Sequence, residues 1–378
     1  MLNTPMTDTF DLTLRQKKQA TLLYHYASLE YLKPLQKMVN DVIKGIDITL
    51  QQASDEGRDR FLVNERWGGR DTSANWSTYA FPALLDLQKS VAKQISNVAF
   101  ESYGHTGVYN CQRTMDERSM NWATEEEEDR FEKQMEALAD YAYPIDKTLS
   151  RGPLWRIDIF EDSWQKTKAN FPRIPQFRLR EDVLGESDKK PPRTGVYAPI
   201  DDPYGALQFA WTGDNYGELC DCKTLNQMGL DAIRAVGYEN LWNDSPQLLA
   251  FLLSSKYLSE FKKESYFDAR DANAASLFMA FEGFTNLPRK WVYVEMLPDA
   301  YEDLPPEETE AHADHGRLRG LRNELVPKTG WWHSLARPNG EALHYFEAGQ
   351  HFPDWQYTKT GEVIWDFDPD KQAPPPKK

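Results

Sequence analysis

Two stretches of this 378-residue chain carry the same pattern of glycine, proline and threonine, and this repeat restricts the fold more than any other feature. One runs from Pro192 to Gly213 and the other from Pro327 to Gly349, with Glu341 as an inserted residue. Glycine and proline at matching offsets require the same backbone turns. The identical pairs are Pro192/Pro327, Thr194/Thr329, Gly195/Gly330, Pro203/Pro338, Gly205/Gly340, Ala206/Ala342, Leu207/Leu343 and Gly213/Gly349.

The second stretch continues to Phe367 and is typical of antiparallel β structure. Its short runs of aromatic and β-branched residues are separated by Asn339-Gly340 and by Gly349. Turn residues of this kind between strand-like runs indicate hairpins. Two unrelated hairpins can converge on common turn residues, so the repeat reflects either convergence or an internal duplication. The shared Thr-Gly start, followed two residues later by an aromatic residue and further on by a glycine in register, favours duplication.

Most of the remaining chain has the apolar spacing of helices. Residues 12–53 form one such stripe, in which Pro34 should kink or split the helix. Thr124 is a good N-cap for the acidic residues after it. The proline-containing stretch 172–192 predicts a connecting loop. The sequence thus predicts a mainly α protein with small antiparallel β elements (α+β), in which helical bundle units are each followed by a β-hairpin or meander.

Further along, residues 224–236 should be a helix that ends at Gly237. Residues 268–281 should form another helix, with Leu277, Phe278 and Phe281 buried. A strand is expected at 291–296, followed by an exposed acidic loop at 299–310. The predicted organisation is a helical N-terminal unit (1–190), a first β element (191–222), a helical C-terminal unit (223–326), a second β element (327–368) and a disordered tail (369–378).

The chain is acidic, with a formal net charge of −15, and 13% of its residues are aromatic. The negative electrostatic potential of such a chain disfavours binding to nucleic acid and to anionic membranes, while it suits a basic protein partner. Three cysteines do not make a disulfide framework, and Met1 to Phe10 lacks the features of a secretory signal. The sequence therefore predicts a soluble, cytoplasmic protein.

No linear motif for catalysis, a cofactor or a metal is present. Cys220 and Cys222 are too close for a usual zinc pair, and His312 and His315 lack the spacing of the metalloprotease helix. We therefore expect no catalytic residue, no cofactor and no metal, and predict that the chain is not an enzyme.

Candidate partner-binding residues lie in two groups. One is an acidic, proline-broken stretch, and the other consists of residues that differ between the two repeats. The candidates are Glu302, Asp303, Glu307, Glu308, Glu310, Trp331, His333 and Arg337.

The second stretch also resembles a known group of proteins. The pattern is Thr329-Gly330-Trp331-Trp332, then Tyr345-Phe346-x-x-Gly349, Phe352-Pro353 and Gly361-x-Val363-x-Trp365. It is similar to the C-terminal signature of bacterial polymorphic-toxin immunity proteins, of the families called immunity protein 71 and immunity protein 72. The resemblance implies a cytoplasmic antitoxin without catalysis of its own, which binds a cognate toxin domain delivered by contact-dependent or type VI secretion. A homodimer is compatible with it.

Two other classes of function stay open. One is a carbohydrate-active enzyme with an acidic, tryptophan-lined cleft, which a concave pocket with paired acids and aromatic platforms would favour. The other is a structural or adaptor protein of a phage or a secretion apparatus, which extensive homo-oligomeric interfaces would favour.

Overall fold

The computed structural model describes residues 11–150, 157–200, 202–214, 216–242, 244–304, 319–321, 325–334, 342–353 and 364–368. About 50% of the chain is helical and about 19% forms strands in small antiparallel sheets, so the predicted α+β class is confirmed. The predicted tail at 369–378 lies outside the described residues. None of the described helices is long and apolar enough to cross a membrane.

The helices form two groups along the chain, one before and one after the first strands. They are α1 (Leu14–Ala27), α2 (Leu29–Asp55), α3 (Ser73–Tyr79), α4 (Phe81–Asn97), α5 (Val108–Asp116), α6 (Glu125–Thr148), α7 (Ile157–Thr167), α8 (Gln227–Val236), α9 (Pro246–Ser254), α10 (Leu258–Phe261) and α11 (Ala272–Glu282). Short 3-10 turns lie at Arg58–Phe61, Val98–Phe100, Lys168–Asn170 and Glu239–Leu241.

The strands belong to three antiparallel sheets. They are β1 (Arg173–Glu186), β2 (Gly195–Pro199), β3 (Gln208–Ala210), β4 (Cys222–Leu225), β5 (Phe284–Leu287), β6 (Lys290–Asp303), β7 (Arg319–Leu321), β8 (Gly330–Ser334), β9 (Ala342–Phe346) and β10 (Ile364–Asp368).

The N-terminal helices bury the stripe predicted for 12–53, but the break in that segment is at Ser28 and not at Pro34. Ser28 has an extended backbone, and its hydroxyl caps α2 by accepting from the Tyr31 N–H at 3.2 Å. Pro34 lies inside α2 without ending it. A residue that ends one helix and caps the next thus decides the break, because its side chain satisfies a free backbone donor.

The connecting loop predicted for 172–192 is wrong, because most of it is the long strand β1. β1 pairs with β6 over almost its whole length. Ion pairs join the two strands, with Glu295 on β6 contacting Arg178 at 2.5 Å and Arg180 at 3.2 Å. β6 in turn reaches Asp303, so the loop predicted from residue 299 begins too early.

The second helical group, α8–α11, encloses its own apolar core. Gly237 ends α8 as predicted, and Ser245 caps α9. Phe278 on α11 is buried as expected, but Leu277 and Phe281 are exposed. The apolar composition of α11 did not reveal which of its faces meets the core.

Two of the sheets have the same topology, and each contains one copy of the sequence repeat. We call β1, β6, β2 and β3 the first β unit, and β7, β10, β8 and β9 the second β unit, each written in its spatial order. In both units the last strand along the chain inserts between the first and the second, and all pairings are antiparallel. Convergence on turn residues does not require a shared strand order, so the structure favours an internal duplication.

The strand registers also agree between the units. Tyr197 lies opposite Tyr293 in the first unit, as Trp332 lies opposite Phe367 in the second. On the other side of the central strand, Gly185 lies opposite Trp291, as Gly320 lies opposite Trp365. A Trp-x-aromatic pattern, Trp291-Val292-Tyr293 and Trp365-Asp366-Phe367, is therefore a further part of the repeat that sequence reasoning missed.

The shared Thr-Gly dipeptide has the same role in both units. Thr194 accepts a hydrogen bond from the backbone N–H of Thr212 at 3.1 Å, and Thr329 accepts one from that of Ala348 at 2.9 Å. The next glycine lets the aromatic ring of the central strand approach the backbone. These residues are scaffold, as their repetition predicts.

Candidate partner-binding surface

The first β unit has two covered faces. Residues such as Tyr197, Trp291 and Tyr293 form a small core on one face. Val196, Phe209 and their neighbours on the other face join the core of the N-terminal helices. Successive strand residues point to opposite sides, so the same strands contribute to the small aromatic core on one face and to the core of the N-terminal helices on the other.

Helix α1 covers that second face of the first unit. The Tyr24 hydroxyl donates to the Val294 carbonyl at 2.6 Å and accepts from the Val196 N–H at 3.4 Å. Val196 is fully buried and Phe209 is 4% exposed. Burial also raises the pKa of Tyr24 well above its ordinary value, since the phenolate form would lose its hydration here.

The second β unit keeps the aromatic core face but changes the other one. Trp332, Trp365 and Phe352 are buried together, with Phe346 and Phe367 against them. At the positions of Val196 and Phe209 the second unit has Trp331 and Tyr345, which are only half-buried. Their rings meet edge-on, with centroids 5.6 Å apart. We call this surface the Trp331 face.

Register places three polar residues at positions that are apolar in the first unit. His333 stands where the first unit has Ala198, and Asp366 and Asp368 stand at the positions of Val292 and Val294. The side chains of these three residues lie outside the described part of the structure. At these three strand positions the second unit thus has a histidine and two aspartates where the first unit has an alanine and two valines.

The acidic candidates Glu302 and Asp303 lie near the first unit, at the end of β6. Glu302 forms an ion pair with Lys17 of α1 at 2.9 Å, and Asp303 forms one with Arg173 of β1 at 2.9 Å. Ion pairs that are at least partly open to solvent contribute only ~0–1 kcal/mol. Both acids thus belong to the first β unit, whereas Trp331 lies on β8 of the second. The other candidates lie outside the described residues, namely Glu307, Glu308, Glu310 and Arg337.

A cleft of about 400 Å³ lies elsewhere, between the start of α3 and the end of α5. Trp67 and Trp76 contribute aromatic walls, and Asp71, Asp116 and Glu117 contribute carboxylates. Sequence reasoning missed this site, because its residues come from segments that are far apart along the chain and carry no motif.

The described residues do not gather three metal-ligating side chains in one place. Cys111 and Cys222 are buried, and burial raises the pKa of each thiol to about 12. A thiol rather than a thiolate is then present at neutral pH, and only the thiolate is a good ligand or nucleophile.

Comparison with protein-family models, with curated proteins and with solved structures finds no match for this chain. The resemblance to immunity proteins therefore stays a prediction carried by the residues of the second β unit.

Proposed function

We propose that this protein is an immunity protein that binds a cognate toxin domain and neutralises it by contact alone. The observation that carries the proposal is the change between the two units at one equivalent face. α1 covers this face in the first unit, whereas in the second it carries the half-buried Trp331 and Tyr345.

The first unit indicates what such a face can bind. A helix lies on it, makes apolar contacts that include the Tyr24 and Phe209 rings, and places one tyrosine hydroxyl between two strands. The second unit has the same strand order and register, so the Trp331 face is the equivalent place for a partner element to lie. Helix-in-groove recognition of this type is a common mode of protein binding.

The two aspartates on β10 favour a partner that carries positive charge. Buried aspartates without partners are strongly disfavoured, so Asp366 and Asp368 are unsuited to an apolar helix like α1. Lysine or arginine on the partner would pair with them, and the net charge of −15 would speed the encounter with a basic domain.

Trp331 and Tyr345 are suited to anchor such a partner. Tryptophan and tyrosine are enriched among residues that dominate binding energy, because they bury a large rigid surface at low entropic cost. Their rings already contact each other edge-on in the unbound protein.

The experiment is co-expression with the C-terminal domain encoded by the neighbouring upstream gene. The proposal expects this chain to restore growth to cells that the domain otherwise kills, and the two purified proteins to form a stable complex. Undiminished killing in the presence of soluble, folded protein would refute it.

The cleft beside α3 favours a second candidate, a carbohydrate-active protein. Aromatic walls next to carboxylates are the feature that this alternative requires. It concerns a different surface, so toxin binding and ligand binding at the cleft can be tested separately.

A further inference from the structure

The cleft beside α3 has a rigid aromatic wall. Trp67 lies in a tight turn closed by two backbone hydrogen bonds between Asn64 and Gly68, at 3.1 and 2.9 Å. The Asn64 side chain also accepts from the Trp67 N–H at 2.7 Å. Arg66 lies over the Trp67 ring at 4.8 Å, and the indole is still 56% exposed. The turn therefore holds a large apolar surface in place and open to solvent.

The helix beside this turn is fixed as well. Thr72 caps α3, and the Asp59 carboxylate accepts from the backbone N–H of Ser73 at 2.6 Å and of Ala74 at 3.1 Å. Trp76 on α3 packs against Trp122, with ring centroids 5.5 Å apart. The cleft is thus preformed, and preformed sites lose less entropy on binding.

Charges of both signs line the cleft. Arg70 and Arg118 face it together with Asp71 and Asp116. Within the part of the chain that the structure describes, no ion pair joins these four side chains. Arg118 instead lies over the ring of Tyr79 at 5.5 Å. Guanidinium groups bind carboxylates well, while carboxylates accept hydrogen bonds from hydroxyls.

We propose that this cleft binds a sugar that carries a carboxylate, of the hexuronic acid class. The apolar face of the sugar ring lies on Trp67, its carboxylate meets Arg70 and Arg118, and its hydroxyls donate to Asp71 and Asp116. The volume of about 400 Å³ falls at the small end of the range of ligand sites. This binding site goes beyond the proposed toxin neutralisation and does not depend on it.

The test is calorimetric titration of the whole chain with D-glucuronate, D-glucose and glycine as separate probes. Glucuronate should bind saturably and about tenfold more tightly than glucose, because only glucuronate uses the two arginines. Glycine should not compete. Absence of saturable glucuronate binding, equal affinity for glucose, or tighter binding of glycine would each overturn the proposal.

Two exposed residues of the cleft allow variants that keep the fold. Arg70→Gln should weaken glucuronate binding about tenfold and leave glucose binding unchanged, while Trp67→Ala should weaken both. The matched control is Arg270→Gln, since Arg270 is exposed just before another helix and, among the described residues, forms an ion pair with Asp268 alone. Unchanged glucuronate affinity in Arg70→Gln with an unchanged melting curve would contradict the assignment.

Discussion

Gly330 and Phe367 contact each other so closely that a β-carbon on Gly330 would lie 2.5 Å from Cε2 of the Phe367 ring. The first β unit repeats the relationship, with Gly195 and Tyr293 at 2.6 Å. No real β-carbon tolerates such a distance, so the glycine of each Thr-Gly dipeptide is required by the ring beside it. The same steric solution occurs in two sheets of the same topology, which supports their common origin.

Gly330→Ala should therefore destabilise the second unit by roughly 1–3 kcal/mol, the usual cost of overpacking. The measurement is urea unfolding followed by tryptophan fluorescence, because Trp332 and Trp365 lie in that core. Gly104→Ala is the control, since a β-carbon there would meet nothing within 4 Å. Adding Phe367→Leu should recover part of the loss in Gly330→Ala. Equal stability of both glycine variants would be evidence against the contact.

The docking of α1 on the first unit gives a second prediction. Tyr24→Phe removes the hydroxyl that donates to the buried Val294 carbonyl and should lower the free energy of unfolding by about 1–2 kcal/mol. Tyr109→Phe serves as control, because Tyr109 is exposed. Hydrogen exchange should also become faster at Val196, whose N–H bonds to the same hydroxyl. Unaltered exchange at Val196 would count against this account of the α1 contact.

Glu127 gives the pH prediction. Burial alone would raise the pKa of this carboxyl, but hydrogen bonds from Arg58 and from the Thr124 backbone outweigh it and hold the pKa below its ordinary value. The Arg58 contact is 2.6 Å long. A pKa that is lower in the folded state adds stability above the unfolded pKa of ~4.3, and this stability is lost as pH falls through the folded pKa.

Glu127→Gln should thus cost about 2 kcal/mol at pH 7 and much less at a pH below the folded pKa, where the wild-type carboxyl is also neutral. Thermal unfolding at both pH values measures the difference. Glu126→Gln is the control, since Glu126 lies exposed in the same helical turn. A penalty for Glu127→Gln that does not change with pH would rule out the charged contact as its source.

Sequence reasoning recovered features that depend on local chemistry. The cap at Thr124, the end of α8 at Gly237 and the repeated Thr-Gly dipeptide each follow from a few neighbouring residues. β1 was missed because its own sequence is charged and contains Pro175. It is a strand because β6 offers it backbone partners and Glu295 pairs with its arginines, and both of these lie far away along the chain.

The candidate surface also depends on contacts between residues that are far apart along the chain. The repeat indicated that Trp331 and His333 differ from their counterparts, but it did not show that α1 buries the equivalent face of the first unit. Only the strand register reveals that Asp366 and Asp368 replace two valines. The cleft at Trp67 depends on contacts between segments 67–76 and 116–119, which no local pattern encodes.

The central claim is that the Trp331 face binds a basic partner domain, and two adjacent tryptophans test it. Trp331 is half-buried on that face, whereas Trp332 is fully buried in the core behind it. Trp332→Ala should lower stability by ~3–5 kcal/mol and lose binding through unfolding, so it cannot report on the face itself. Trp331→Ala separates binding from folding.

The decisive measurement is the affinity of Trp331→Ala for the proposed partner, the C-terminal domain of the neighbouring gene product, with Tyr109→Ala as the exposed-aromatic control. We predict that Trp331→Ala keeps the wild-type unfolding midpoint and loses at least about tenfold in affinity, while Tyr109→Ala binds as the wild type does. Wild-type affinity in Trp331→Ala, or an equal loss in Tyr109→Ala, would contradict the claim.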